Sequence, residues 1–283
     1  MTLFLLLVLG GTIRGMVYVV SKYISVENST PLSMATANAI ADTVLSLPIG
    51  IILFIYHPIN FSLELLILAV ISGAIYSMAL ISQYASLKRI NMSEMSLLLQ
   101  INIVFSAILG ITILKESLNL WNFMGLGLII IGNLTILIKK GKFKFNAGVL
   151  FALGAGIFSA IASTIDKDIL NYIAAGFYVT VNSALILLSL VVINPKMITK
   201  SARLIRSKLK IFLLFSLFNL GSWYIGSFVL QNMEVSKFTP IQKSITLIIP
   251  VISGIIIFNE KQNLKLKILG LILAVSGIGL MYL

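Results

Sequence analysis

Arg14 and Asp42 lie deep inside two apolar runs, residues 3–22 and 33–55. At the centre of a membrane helix each costs about 2.5–3.5 kcal/mol, roughly 5–7 kcal/mol for the two if both met lipid unpaired. They must therefore pair, face the interior or see water. One reading is an Arg14–Asp42 ion pair that fixes the first run against the second. The other is a binding site, with Arg14 a contact for an anionic group and Asp42 a contact for an amine or the carrier of a coupling proton.

Further polar residues recur at helical spacing inside apolar sequence. Asn38, Asp42 and Ser46 share a face, as do Gly11, Arg14, Tyr18 and Ser21. Ser72, Tyr76 and Gln83 form a third stripe, Ser96 and Gln100 a fourth with Asn102 further round, and Gly156, Ser159 and Ser163 a fifth. Tyr178 with Asn182, then Ser216, Asn219 and Trp223, then Thr239, Lys243 and Thr246 complete the set. Lone serines and threonines carry little information, because they can bond their own helix backbone. The candidate substrate-binding residues are therefore Arg14, Asn38, Asp42, Gln100, Asn182, Trp223 and Lys243. Trp223 can stack on a ligand or simply pack; Lys243 can meet an anion or snorkel to the surface. No catalytic or metal-binding set emerges, and no cofactor is implied. The chain has no cysteine and a single histidine, His57, next to Pro58, which excludes thiolate chemistry and a multi-histidine metal centre.

The elements that must position these side chains follow from composition. Hydrophobic residues make up 59% of the 283 and charged ones 11%, far below the ~25% charged of a soluble domain. This is an integral, multi-pass membrane protein, its localisation expected to be the cytoplasmic (plasma) membrane of a prokaryote. Ten apolar segments near the ~20 residues that span a bilayer are placed at 3–22, 33–55, 63–86, 94–114, 120–138, 147–166, 173–193, 209–230, 238–258 and 265–283. Residues 3–22 read as a retained first span, since no basic stretch or small-residue cleavage site accompanies them. The formal charge of +12 reads as loop lysines facing anionic lipid, not as a nucleic-acid surface.

An internal duplication organises the spans. Gly110-Ile-Thr-Ile-Leu-Lys-Glu116-Ser-Leu-Asn-Leu120 returns 144 residues later as Gly254-Ile-Ile-Ile-Phe-Asn-Glu260-Lys-Gln-Asn-Leu264, six identities in eleven. Gly125 and Gly132 return as Gly270 and Gly277, Thr36 and Asn38 as Thr180 and Asn182, and Lys22 as Lys167. Residues 1–140 and 145–283 are thus two five-helix repeats. Five is odd, so the second must lie inverted, with a site expected between them. The expected fold class is an all-α membrane protein of ten transmembrane helices, two inverted five-helix repeats around a central cavity. The fifth and tenth spans carry almost no polar stripe and belong at its periphery. Glu116 and Glu260 end one span just before the next, where a carboxylate can cap the following helix. The glycine pairs seven apart allow close helix approach, within the monomer or in a homodimer. Pro250 can kink the ninth span. Odd-numbered loops hold 16 of the 21 lysines and arginines, which places them in the cytoplasm and both termini outside.

The motif Ile113-Leu-Lys-Glu116-Ser-Leu118 followed by Gly125 to Gly132, repeated as Ile257-Phe-Asn-Glu260 with Gly270 to Gly277, resembles the drug/metabolite transporter superfamily, of the ten-helix, EamA type. Helix one, with its glycines and terminal Lys22-Tyr23, is also similar. The family usually has glycine before this glutamate, where this chain has Lys115 or Asn259. Many relatives keep both termini in the cytoplasm, the reverse of the loop charges here. The resemblance implies a carrier, not an enzyme, moving a small-molecule substrate through a central cavity. Arg14, Lys243 and Asp42 suit an amino acid or related zwitterion or anion, with a proton as a coupling ion. Two other classes stay open: an intramembrane lipid-modifying enzyme, and a non-transporting receptor or assembly subunit. The partners expected are the substrate and the lipid bilayer, not nucleic acid.

Overall fold

A computed structural model describes residues 2–24, 29–56, 62–137, 146–257 and 264–281. His57, Pro58, Asn259, Glu260 and the basic stretch 139–144 lie outside the described residues. Among the described residues all regular structure is helical: α1 (Thr2–Ile24), α2 (Pro31–Tyr56), α3 (Leu63–Leu87), α4 (Met92–Leu98), α5 (Ile101–Thr112), α6 (Leu120–Leu137), α7 (Ala147–Leu170), α8 (Ala175–Ile193), α9 (Met197–Ser207), α10 (Leu209–Gln231), α11 (Val235–Ile256) and α12 (Leu264–Met281). Eight described segments are long and apolar enough to cross a membrane, with Glu94–Thr112 of α4 and α5 counting as one, and a shorter apolar stretch lies in α6. Counting α11 (Val235–Ile256) beside these, the described helices are consistent with the ten expected spans.

Local chemistry explains several boundaries. Pro31 opens α2, where a missing N–H costs nothing. Ser62 caps α3 by accepting from the Leu65 amide at 3.2 Å, and Asn146 caps α7 by accepting from Val149 at 3.1 Å. Pro240 and Pro250 sit inside α11, which continues through both.

The helices pack as an inverted duplication requires. α1 lies against α10 and α11; its counterpart α7 lies against α3 and α5. α2 packs on α8, and α6 on α12, each pairing a span with its own equivalent. Glycine sets these approaches. A Cβ on Gly15 would fall 2.7 Å from Ile249 Cβ in α11, and one on Gly277 would fall 2.5 Å from the Gly125 carbonyl oxygen. The glycines at 125, 132, 270 and 277 thus hold α6 to α12 within one chain, helped by the Asn122 amide donating to the Met281 carbonyl at 3.0 Å.

Two features depart from the sequence expectation. The fourth span breaks at Leu99–Gln100, without proline or glycine. The break is made by tertiary contact: Asn102 donates to the Gly156 carbonyl of α7 at 3.1 Å, and a Cβ on Gly156 would lie 2.5 Å from Ile101 Cγ2. The basic stretch from Lys196 to Lys210, expected as a loop, contains α9. Its buried Ser201 donates to the Ser33 carbonyl at 2.9 Å, and Leu204 and Ile205 pack on Val17, Phe212 and their neighbours. Lys196, Lys200, Arg203 and Arg206 point outward on the opposite face.

Glu116 also differs from expectation. It caps a helix, but not the one that follows. Its carboxylate accepts from the Val235 and Ser236 amides at 2.7 and 2.8 Å, at the start of α11 in the other repeat. It folds back over Gly110, where a Cβ would stand 2.5 Å from Oε2. The preceding Lys115 takes φ of 55°, the left-handed region that favours glycine, which gives a physical reason for the glycine usual at this position in the resembling family.

Candidate functional site

A cavity of about 130 Å³ lies between the halves, lined by α1, α2, α3, α5, α7, α8, α10 and α11, with no lining residue from α6 or α12. That is room for a small metabolite, or for roughly ten waters at 10–15 Å³ each. Helical periodicity is what aims the side chains inward. Arg14 comes from α1, Asn38 and Asp42 from α2 one turn apart, Trp223 and Asn219 from α10 one turn apart, and Lys243 from α11.

Five of the seven sequence candidates line this cavity: Arg14, Asn38, Asp42, Trp223 and Lys243. Gln100 and Asn182 are buried but not among its lining. Gln100 donates to the Ser96 carbonyl at 3.2 Å beside the helix break, and Asn182 donates to the Tyr178 hydroxyl at 2.9 Å.

Arg14 and Asp42 are joined through a third residue. The Arg14 guanidinium donates to Asn219 Oδ1, and Asn219 Nδ2 donates to Asp42 Oδ2 at 2.6 Å. Asn219 therefore ties α1 to α2 through α10, across the two halves. Asp42 Oδ1 has no hydrogen-bond partner among the described residues, nor has Asn38 Oδ1, whose amide nitrogen donates to the Tyr84 hydroxyl. The Lys243 ammonium also has no such partner among the described residues.

The residue that sequence reasoning missed is Asp166. It lines the same cavity, 3% exposed. Ser72 Oγ donates to its Oδ1 at 2.5 Å, the Tyr178 hydroxyl donates to the same oxygen, and the Tyr76 hydroxyl donates to Oδ2 at 2.8 Å. Tyr76 in turn meets Trp223 edge-on, ring centroids 6.0 Å apart at 64°. The signal was present: Ser159, Ser163 and Asp166 continue one helical face at i, i+4 and i+7. A span drawn to end at residue 166 put the aspartate at a membrane boundary; α7 continues to Leu170.

Comparison with known proteins adds three findings. A family model described as the EamA-like transporter family matches twice, over residues 1–138 and 146–283. No curated protein matches the sequence. A solved structure described only as a crystal structure of a protein is similar at TM-score 0.65 and 12% identity, over 97% of this chain and 95% of that one. At that identity the likeness shows the fold alone.

Proposed function

The chain belongs to the EamA-like transporter family, and from that premise we propose that it is a secondary carrier moving a small zwitterionic or anionic metabolite, an amino acid among them, by alternating access. The observation that carries the reading is the cavity between the halves, which gathers Arg14, Asp42, Asp166 and Lys243 from four different helices. Placing four ionisable groups in a membrane interior is costly; Asn219 links Arg14 to Asp42 and three hydroxyls bond Asp166, while Lys243 has no such partner among the described residues. A polar ligand in the cavity gives Lys243 a partner. Inverted repeats supply the motion, since the same packing can form with the roles of the halves exchanged.

In this reading residues 1–140 and 145–283 rock against each other. The membrane in this reading is the plasma membrane of a prokaryote, and the loop charges favour both termini outside. Asp42 carries the coupling proton, because its Oδ1 has no hydrogen-bond partner among the described residues. Two experiments test this. Proteoliposomes containing the purified chain should exchange labelled amino acids. Asp42→Asn should leave that exchange intact but abolish accumulation driven by a pH gradient; undiminished pH-driven accumulation removes the proton role.

A further inference from the structure

We propose that Asp166, with Tyr76 and Trp223, forms a subsite for a protonated amine, so that the carrier selects ligands bearing an ammonium group. The inference rests on the carrier reading for its biological use, but the binding itself stands or falls separately.

The argument begins with lone pairs. An ionised carboxylate offers about four acceptor positions. Three of those on Asp166 are filled by O–H donors, two on Oδ1 and one on Oδ2. Tyr178 accepts from the Asn182 amide, and its single proton has two acceptors in reach, Ser72 Oγ at 3.4 Å and the nearer Asp166 Oδ1. Hydroxyl donors of this kind favour the anion, and none of them brings a positive charge. The Arg14 guanidinium is committed to Asn219, and the neighbouring Lys167 points away, donating to the Leu230 and Gln231 carbonyls at 2.9 and 3.1 Å. Asp166 is thus a buried carboxylate whose negative charge is solvated by hydroxyls and has no cation bonded to it among the described residues.

The fourth acceptor position is on Oδ2, the oxygen that meets Tyr76. Tyr76 and Trp223 line the cavity beside it. A carboxylate bonded to Tyr76, with Trp223 edge-on to that ring in the same cavity wall, is an environment that attracts an ammonium group, by a charge-assisted hydrogen bond and by the ring quadrupoles. Asp42 is differently placed, with Asn219 and Arg14 beside it. The two aspartates therefore divide the work: Asp42 takes the proton, while Asp166 holds the ligand's cation. Lys243 of the same cavity, without a hydrogen-bond partner among the described residues, is left for a carboxylate.

The test is equilibrium binding to the purified full chain in detergent. Trp223 emission is read in a Trp121→Phe background, which leaves one tryptophan of the two. The probes are matched triads on the alanine, leucine and phenylalanine side chains: the amino acid, its decarboxylated amine and its deaminated acid. Amine-bearing probes should bind the parent chain, and Asp166→Asn should weaken them about 10- to 100-fold, the loss of a charge-assisted bond, while the acids change less than about threefold. Should Asp166→Asn fail to fold, Ser163→Lys serves. Ser163 bonds only its own helix, to the Ala160 carbonyl at 3.0 Å, and a lysine there places a tethered ammonium one turn from Asp166. It should abolish amine binding and spare the acids. The proposal is overturned if no amine-bearing probe binds the parent chain, if either variant leaves amine affinity unchanged, or if acids and amines weaken alike. Amine binding without flux in liposomes would retain the subsite and reject the carrier.

Discussion

Replacing Asn219 by alanine should damage the protein far more than its uncharged side chain suggests. The amide accepts from the Arg14 guanidinium and donates to Asp42 Oδ2 at 2.6 Å. Each is a hydrogen bond to a charged group, worth about 1.5–3 kcal/mol. Losing both without relaxation would cost about 3–6 kcal/mol. The cavity adjoins the site, and Arg14 can move toward Asp42, so recovery of about half leaves a net cost of about 1.5–3 kcal/mol. For a chain of this size each kcal/mol lowers Tm by about 2 °C, so the expected drop is about 3–6 °C. Thermal melting in detergent measures it. Asn232→Ala is the control, since that amide donates only to the exposed turn of its own helix, to Phe228 at 2.8 Å, and should shift Tm by about 1 °C or less. Asn219→Ala and Asp42→Asn should be non-additive by about 1–2 kcal/mol. If Asn219→Ala melts with the control, or the pair is additive, Asn219 is not the link between the two charges.

Other perturbations follow from the packing. Lys115→Gly should raise Tm by about 2 °C, because a β-carbon at φ of 55° costs about 1 kcal/mol; an unchanged or lower Tm would place the strain elsewhere. Gly277→Val should destabilise by more than about 2 kcal/mol, since its first added carbon would meet the Gly125 carbonyl at 2.5 Å. Gly127→Ala, with nothing within 4 Å of the added carbon, should be near neutral in the same melting series. In a chain that has no native cysteine, a single cysteine introduced within 139–144 should react with impermeant thiol reagents only from the cytoplasmic side; labelling in intact cells would reverse the orientation.

The architecture was legible because hydrocarbon is an unforgiving solvent. Span lengths, the repeated glycine pairs and the plain faces of the fifth and tenth spans all follow from what lipid tolerates, and α6 and α12 do lie outside the cavity. Arg14 and Asp42 stood out for the same reason. What escaped was set by distant partners. The break before α5 depends on Gly156, which lies in the next repeat. Glu116 caps α11, 119 positions away, and no local rule points there. Asn219 was visible in a polar stripe, but only the folded chain places it between two charges. Asp166 is the instructive case. The i, i+4, i+7 series from Ser159 reaches it, yet the span drawn over 147–166 ends on it, next to Lys167. Lys167 is in fact spent on the end of α10, which frees α7 to carry its aspartate inside.

The most direct test of the central claim is flux through the cavity itself. Ser163→Cys would place the protein's sole thiol on the cavity wall. In proteoliposomes the variant should exchange labelled amino acids, a bulky thiol reagent should stop that exchange, and unlabelled substrate should slow the modification. Absence of flux for every member of the panel from a folded protein, or flux that survives complete modification of Cys at this position, would contradict a carrier working through the space between the two halves.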